Sequence, residues 1–186
     1  IFGFISETLS RAPHLITGNP NLVKKIVFPL EISAPVTVIS GLFQLMIGLA
    51  LLLLVFTVTK GAPPATVLLF PVIATPLVLL TLGATWFISS LGVFIRDISQ
   101  LIAHLLMVTM FLSPIFYPIT AIPEKFRPFF YLNPLTFLVE QTRRILILGL
   151  QPDWQQLIAF TGISALVCYL GFVWFQFTRK GFADVL

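Results

Sequence analysis

Charged residues are scarce in this sequence: Asp, Glu, Lys and Arg together make up 10% of the 186 residues. A soluble globular protein carries about 25%, so this composition excludes an ordinary soluble domain. The apolar fraction is 58%, and four intervals have no charge at all: residues 32–59, 61–95, 98–123 and 154–178. Each interval meets or exceeds the roughly 20 residues that cross a bilayer as a helix. The sequence therefore predicts an all-α, polytopic membrane protein.

Residue types that carry out catalysis are also few. There is one cysteine, Cys168, and no GxxxxGK[ST] phosphate loop, so the chain cannot cradle ATP by that route. The sequence shows no Cys/His cluster with metal-ligand spacing and no Ser/His/Asp set. We therefore expect no catalytic, cofactor-binding or metal-binding residue in this chain.

The positive charge does not indicate a nucleic-acid partner. The net charge is +4 and the isoelectric point is near 9.6, but the Lys and Arg residues are scattered at the ends of the apolar intervals. That placement is typical of side chains that face lipid headgroups. The expected surrounding is the lipid bilayer.

One stretch, residues 113–149, is too interrupted to span a bilayer. It has prolines at positions 114, 118, 123, 128 and 134, and each removes a backbone N–H and clashes with the preceding helical turn. Irregular backbone near a membrane is tolerated where it is buried in protein or lines a watery cavity. We call residues 113–149 the broken stretch and predict that it forms a functional edge of the protein.

The broken stretch combines aromatic rings with cations, a pairing that suits a polar ligand with apolar faces, such as a sugar. The alternative is an interfacial belt that anchors short helices, and the two roles are compatible. The residues concerned are Phe116, Tyr117, Phe129, Phe130, Tyr131, Phe137, Lys125, Arg127, Arg143 and Arg144.

The chain is expected to form one transmembrane domain in four parts. Residues 1–31 hold the end of a span and a polar connecting segment, in which Gly18-Asn19-Pro20-Asn21 favours a turn. Residues 32–112 hold three spans, near 32–58, 67–93 and 100–112, the last continuing to Tyr117. Residues 113–153 are the interrupted region, and residues 154–186 hold the last span and a tail. Because the chain opens on Ile1 as if inside a helix, we expect it to lack a natural N-terminal helix and first span.

Charge bias predicts the orientation of the spans. Outside the broken stretch, Lys60 falls on one side, whereas the other side holds Arg11, Lys24, Lys25, Arg96, Arg179 and Lys180. By the positive-inside rule, the second side is cytoplasmic and residues 113–153 are external. Arg96 and Asp97 lie in a cytoplasmic loop, and Glu31 is expected at the membrane boundary beside a helix N-terminus.

Several motifs together resemble the membrane subunits of type-2 ABC exporters for polysaccharides, the permeases of O-antigen, capsule and teichoic acid. They are SETLSRAPHLITGNPNLVKKIVFPLEI, LGVFIRDISQ, FLSPIFYPITAIPEKFRPFFYLNPLTFLVEQTRRILILG, PDW and GFADVL, and they cover most of the chain. NLVKKIVFPLEI and GFADVL are most similar to the O-antigen type.

This resemblance implies a homodimer of six-helix subunits in the bacterial inner membrane, enclosing a channel for a lipid-linked polysaccharide. It also implies a separate ATPase subunit that binds ATP and Mg. The implied ATPase-coupling residues are Leu9, Arg11, Asn21, Leu22, Lys24 and Lys25. The implied residues of the channel and outer gate are Phe116, Tyr117, Phe129, Phe130, Tyr131, Asn133, Arg143 and Arg144.

Two other classes of function stay open on the sequence. One is a membrane-embedded glycan or lipid transferase, which needs ionisable groups clustered around one cavity. The other is a passive channel or a secondary transporter of lipid or glycan, and secondary transporters typically contain internal repeats. Neither feature is clear in this sequence.

Overall fold

The computed structural model describes residues 1–18, 29–117, 119–131 and 133–185. These residues form helices and connecting turns, as expected of an all-α protein. The α-helices are α1 (Phe2–Arg11), α2 (His14–Thr17), α3 (Ser33–Lys60), α4 (Phe70–Phe94), α5 (Ile98–Phe111), α6 (Arg127–Tyr131), α7 (Pro134–Leu146), α8 (Trp154–Thr178) and α9 (Phe182–Val185). Short 3-10 turns lie at Leu30–Ile32, Ala65–Leu69, Ile119–Ala121, Glu124–Phe126 and Arg179–Gly181.

Three helical segments of the described chain are long and apolar enough to cross a membrane: Leu30–Lys60, Ala65–Phe94 and Trp154–Gly181. They correspond to three of the predicted spans. Lys60 ends α3, and Gly61 follows with a positive φ of 91°, a conformation that glycine adopts without steric cost. The chain thereby reverses direction between α3 and α4.

The predicted span from residue 100 to Tyr117 is shorter in the structure. Helix α5 has 14 residues and ends at Phe111, so it is about 21 Å long, less than the roughly 30 Å of hydrocarbon. The residue before a proline is disfavoured in helical conformation, and Ser113 precedes Pro114. The Ser113 hydroxyl instead donates to the carbonyl of Thr109 at 2.7 Å, and the chain continues as turns.

Helices α4 and α8 form the most extensive pairing in the described structure. Their backbones touch at two glycines: a Cβ on Gly171 would lie 2.2 Å from the carbonyl oxygen of Gly83, and one on Gly83 would lie 2.5 Å from that of Val167. Trp174 Nε1 also donates to Ser90 Oγ at 2.7 Å. Small residues let membrane helices approach closely and gain van der Waals contact, so α4 and α8 act as the frame of the fold.

Helix α3 contacts the rest of the bundle along a limited part of its length. Its buried residues are Ala34, Val38 and Gly41, all in its first three turns. A Cβ on Gly41 would lie 2.8 Å from Thr8 Oγ1 of α1, whereas one on Gly48 would meet no atom within 4 Å. Glycines in an apolar span predict close helix contacts, and that prediction is confirmed at Gly41 and wrong at Gly48. Beyond Gly41, α3 presents exposed apolar side chains, as a lipid-facing helix does.

The two ends of the α4–α8 pair hold different parts of the chain. At one end, which we call the Glu31 end, a Cβ on Gly92 would lie 2.3 Å from the carbonyl oxygen of Pro13, and Phe182 is fully buried beside Phe175 and Phe94. At the other, the Asn133 end, Thr66 Oγ1 donates to the Ile145 carbonyl at 2.6 Å. Ile145, near the end of α7, thus lies at the opposite end of the pair from Pro13.

Replacing Gly171 with alanine should destabilise the protein. The added Cβ meets a backbone oxygen that cannot rotate away, so α4 and α8 must separate, and overpacking of this kind costs about 1–3 kcal/mol. The measurement is the thermal unfolding midpoint of the detergent-solubilised protein. Gly162→Ala is the matched control, because a Cβ there meets no atom within 4 Å on the same helix. Equal midpoints for the two variants would contradict the proposed role of the glycine contact.

Candidate functional site

Asn133 joins the start of α7 to the end of α5. Its Oδ1 accepts from the Leu135 N–H at 3.0 Å, an N-cap, and Pro134 at the first helical position needs no partner for an N–H. Its Nδ2 donates to Ser113 Oγ at 2.8 Å and to the Thr109 carbonyl at 3.3 Å. The Asn133 side chain therefore hydrogen-bonds to groups at the end of α5 and at the start of α7, on either side of the non-helical segment between them.

Arg143 makes the second connection within the broken stretch. Its guanidinium donates to the carbonyls of Pro114 at 2.9 Å and Tyr117 at 3.5 Å, and it pairs with Glu140 one turn earlier on α7. These carbonyls have lost helical partners because α5 has ended, so the arginine replaces the missing donors. Asn133 and Arg143 thus have a scaffold role in the structure, and contact of either with a ligand stays a prediction.

Gln141 is a third connection, which the sequence analysis did not single out. It is buried on the inner face of α7, and its Oε1 accepts from the N–H of Asp153 at 2.9 Å. Asp153 in turn caps α8 by accepting from the Gln156 N–H at 3.2 Å. Its spacing in the sequence could have identified Gln141 as an inward-facing residue, since Leu138, Gln141 and Ile145 recur at helical spacing on one face.

The predicted gate aromatics divide into two groups. Phe116, Phe129 and Tyr131 are exposed, with exposed fractions of 77%, 63% and 56%. By contrast, the rings of Tyr117 and Phe130 meet edge to face with centroids 6.5 Å apart, and the Tyr117 hydroxyl donates to the Phe111 carbonyl at 3.1 Å. The exposed group is available to a ligand or a membrane interface.

Two other members of the stretch differ from this pattern. Phe137 points inward and its ring lies 4.8 Å from that of Phe160 on α8, so it helps hold α7 to the frame. Arg144 is half-buried, and its Nε has no hydrogen-bond partner within the part of the chain that the structure describes. Arg144 is therefore the cation of α7 with an unused donor.

At the Glu31 end, Arg11 is exposed and pairs with Glu7 across one helical turn at 2.7 Å. Leu9 is partly buried against the core and, with Thr81 and Asn133, lines an apolar cavity of about 310 Å³. The other predicted coupling residues, Asn21, Leu22, Lys24 and Lys25, lie outside the described residues. Their contact with an ATPase stays a prediction.

Arg96 and Asp97 lie at the same end, in the connection between α4 and α5. Both are exposed, and Asp97 occupies the N-cap position of α5 without a side-chain cap bond. As expected of sequence neighbours on a helical turn, they form no ion pair with each other. They are available for contacts outside the described chain.

Known proteins match this chain along most of its length. Residues 1–147 match the family model described as ABC-2 type transporter. The chain is 24% identical over 183 residues to the O-antigen export system permease protein RfbA of Myxococcus xanthus, with 97% of this chain and 70% of the relative covered. It is 28% and 27% identical to two proteins of the same name from Klebsiella pneumoniae, with 91% of this chain and 65% of each relative covered.

These matches confirm the resemblance inferred from the sequence motifs. The chain spans about two thirds of the length of these relatives, and the family model covers both the segment around Arg11 and the broken stretch as far as Ile147. The chain belongs to the ABC-2 type transporter family.

Proposed function

We propose that this chain is part of the permease subunit of an ATP-driven exporter that moves a polysaccharide of the O-antigen type across the bacterial cytoplasmic membrane. The observation that carries the proposal is the match over 91–97% of the chain to permeases named for O-antigen export. The substrate is proposed to be lipid-linked, as the sequence resemblance implied. Capsule-type polysaccharides share the same chemistry and form the nearest alternative cargo.

The permease is proposed to work as a homodimer docked to a separate ATPase subunit. ATP and Mg would bind to that partner, whose closure would press on the loop at residues 20–25. A permease contributes by existing in two arrangements that the partner's nucleotide state favours differently. Helices α3, α4 and α8 are long enough to carry such a displacement across the membrane as rigid bodies.

The broken stretch is proposed to line the external mouth of the channel. Asn133 accepts from the Leu135 N–H and Arg143 donates to the Pro114 carbonyl, so side chains of the stretch satisfy part of its irregular backbone where it would face a polar path beside lipid. Phe116, Phe129 and Tyr131 present exposed rings on which the apolar faces of sugars can stack. Arg144 supplies a cation for acidic sugars or phosphate groups.

The carboxylates favour transport over a transferase reaction. Glu7, Glu31, Glu124 and Glu140 each pair with an arginine, and Asp153 caps α8. A glycan transferase requires free ionisable groups converging on one cavity. Most of the acids in this chain already have structural partners.

Removing the exposed rings Phe116 and Phe129 together, each to alanine, should reduce export without unfolding the protein. If each ring stacks on sugar, its loss should lower export about two- to tenfold. The measurement is surface polysaccharide in cells that carry the intact gene, alongside the unfolding midpoint and copurification of the ATPase. Phe177→Ala is the control, since this ring is 79% exposed on α8 at the Glu31 end. Wild-type surface polysaccharide in the double variant would reject an aromatic lining.

Replacing Leu22 and Lys24 with aspartate should separate ATP hydrolysis from export. Two carboxylates in place of an apolar and a basic side chain would weaken docking to the ATPase, because a rim charge of the wrong sign opposes association. The measurements are ATPase copurification, ATP hydrolysis by the purified complex and surface polysaccharide. Lys60→Asp, at the opposite end of α3, is the control. Unchanged export with Leu22→Asp and Lys24→Asp combined would show that the loop at residues 20–25 does not couple the two subunits.

A further inference from the structure

Glu31 is tied to the far end of the chain by an ion pair. It lies in the Leu30–Ile32 turn that precedes α3, close behind residues 19–28 in the sequence. Its Oε2 accepts from Arg179 Nη1 at 2.8 Å, across 148 positions of sequence. Among the four ion pairs found in the described residues, the other three lie within one helical turn. The Glu31–Arg179 pair therefore joins separate elements.

The backbone of Glu31 is held by a second helix. Its carbonyl accepts from Trp86 Nε1 of α4 at 2.9 Å, and the Trp86 ring lies edge to face on Phe172 of α8 with centroids 5.0 Å apart. Arg179 directly follows the last residue of α8. Glu31 is thus attached to α4 by its main chain and to α8 by its side chain.

Helix α3 alone would transmit a displacement across the protein less effectively than the contacts of Glu31 with α4 and α8. Its buried residues end at Gly41, and the following turns are largely exposed. A displacement that entered at residue 29 and travelled along α3 would meet the core beyond that point through the partly buried Leu42, Leu45 and Leu49. A displacement passed through Glu31 reaches α4 and α8, the two helices in backbone contact at Gly83 and Gly171.

We propose that Glu31 and Arg179 form a positioning pair that transmits movement of the segment before α3 to the α4–α8 frame. The inference rests on the proposed function, because it requires an ATPase that moves that segment. Neither residue needs to touch the polysaccharide. Their role is to keep the turn before α3 and the end of α8 in register while both move.

If the Glu31–Arg179 pair only stabilised the fold, its loss would lower the unfolding midpoint. The two side chains are 27% and 41% exposed for Glu31 and Arg179, and ion pairs exposed to this degree add little to folding stability. Loss of the pair should therefore leave the unfolding midpoint unchanged. A loss of coupling should appear instead as less polysaccharide exported for each ATP hydrolysed.

The experiment uses the intact permease with its ATPase in proteoliposomes that contain the polysaccharide substrate, and measures transport and ATP hydrolysis together. Glu31→Gln and Arg179→Gln should each lower the ratio of transport to hydrolysis about two- to fivefold, the effect expected of one half-exposed ion pair. The exchanged pair, Glu31→Arg with Arg179→Glu, should restore at least half of the wild-type ratio. Glu124→Gln is the control, since Glu124 is 88% exposed and pairs with Arg127 inside its own turn.

The outcomes separate this inference from the proposed function. Wild-type ratios in both single variants, or an exchanged pair no better than the single variants, would overturn the positioning role while leaving the exporter intact. Lowered ratios accompanied by lowered unfolding midpoints would assign the pair to folding and also overturn it. A wild-type complex that hydrolyses ATP without moving polysaccharide would overturn the proposed function itself.

Discussion

The backbone contact between α4 and α8 is the constraint on which the other elements depend. Glycines at positions 83 and 171 bring the two helices so close that no side chain fits between them. Both ends of the pair then carry attachments: Glu31, Pro13 and Phe182 at one end, and α7 at the other through Thr66, Phe137 and Gln141. Glu31 and Pro13 therefore lie at one end of the frame, and the end of α7 at Ile145 lies at the other.

The broken stretch shows how a proline-rich segment can exist beside lipid. Each interruption leaves carbonyl groups without helical partners, and a membrane offers no water to satisfy them. In this protein Ser113, Asn133 and Arg143 supply the hydrogen bonds around the end of α5. Asn133 and Arg143, which the sequence resemblance assigns to the channel, therefore stabilise the irregular backbone of the broken stretch. Of the predicted channel residues that the structure describes, Arg144 and the exposed rings of Phe116, Phe129 and Tyr131 do not have this structural role.

Much of the fold could be predicted from the sequence, because span lengths follow from uncharged intervals and interruptions follow from prolines. The ends of α3, α4 and α8 fall within a few residues of the predicted limits. Features that depend on contacts distant in sequence could not be predicted: Gly41 packs and Gly48 does not, although both lie in the same apolar pattern. Likewise Glu31 was placed correctly at a helix start, but nothing local indicates that its partner is Arg179.

The two ends of the frame differ in how easily their contacts can be exchanged. At the Asn133 end the connections are hydrogen bonds to partly buried main-chain groups, and leaving a buried group of this kind unsatisfied costs about 1–3 kcal/mol. At the Glu31 end Trp86 also donates to a main-chain group, the Glu31 carbonyl, whereas the half-exposed Glu31–Arg179 ion pair is a contact that water can replace at roughly 0–1 kcal/mol. The broken stretch would follow α4 and α8 as a unit, because its own bonds are the more costly ones to break.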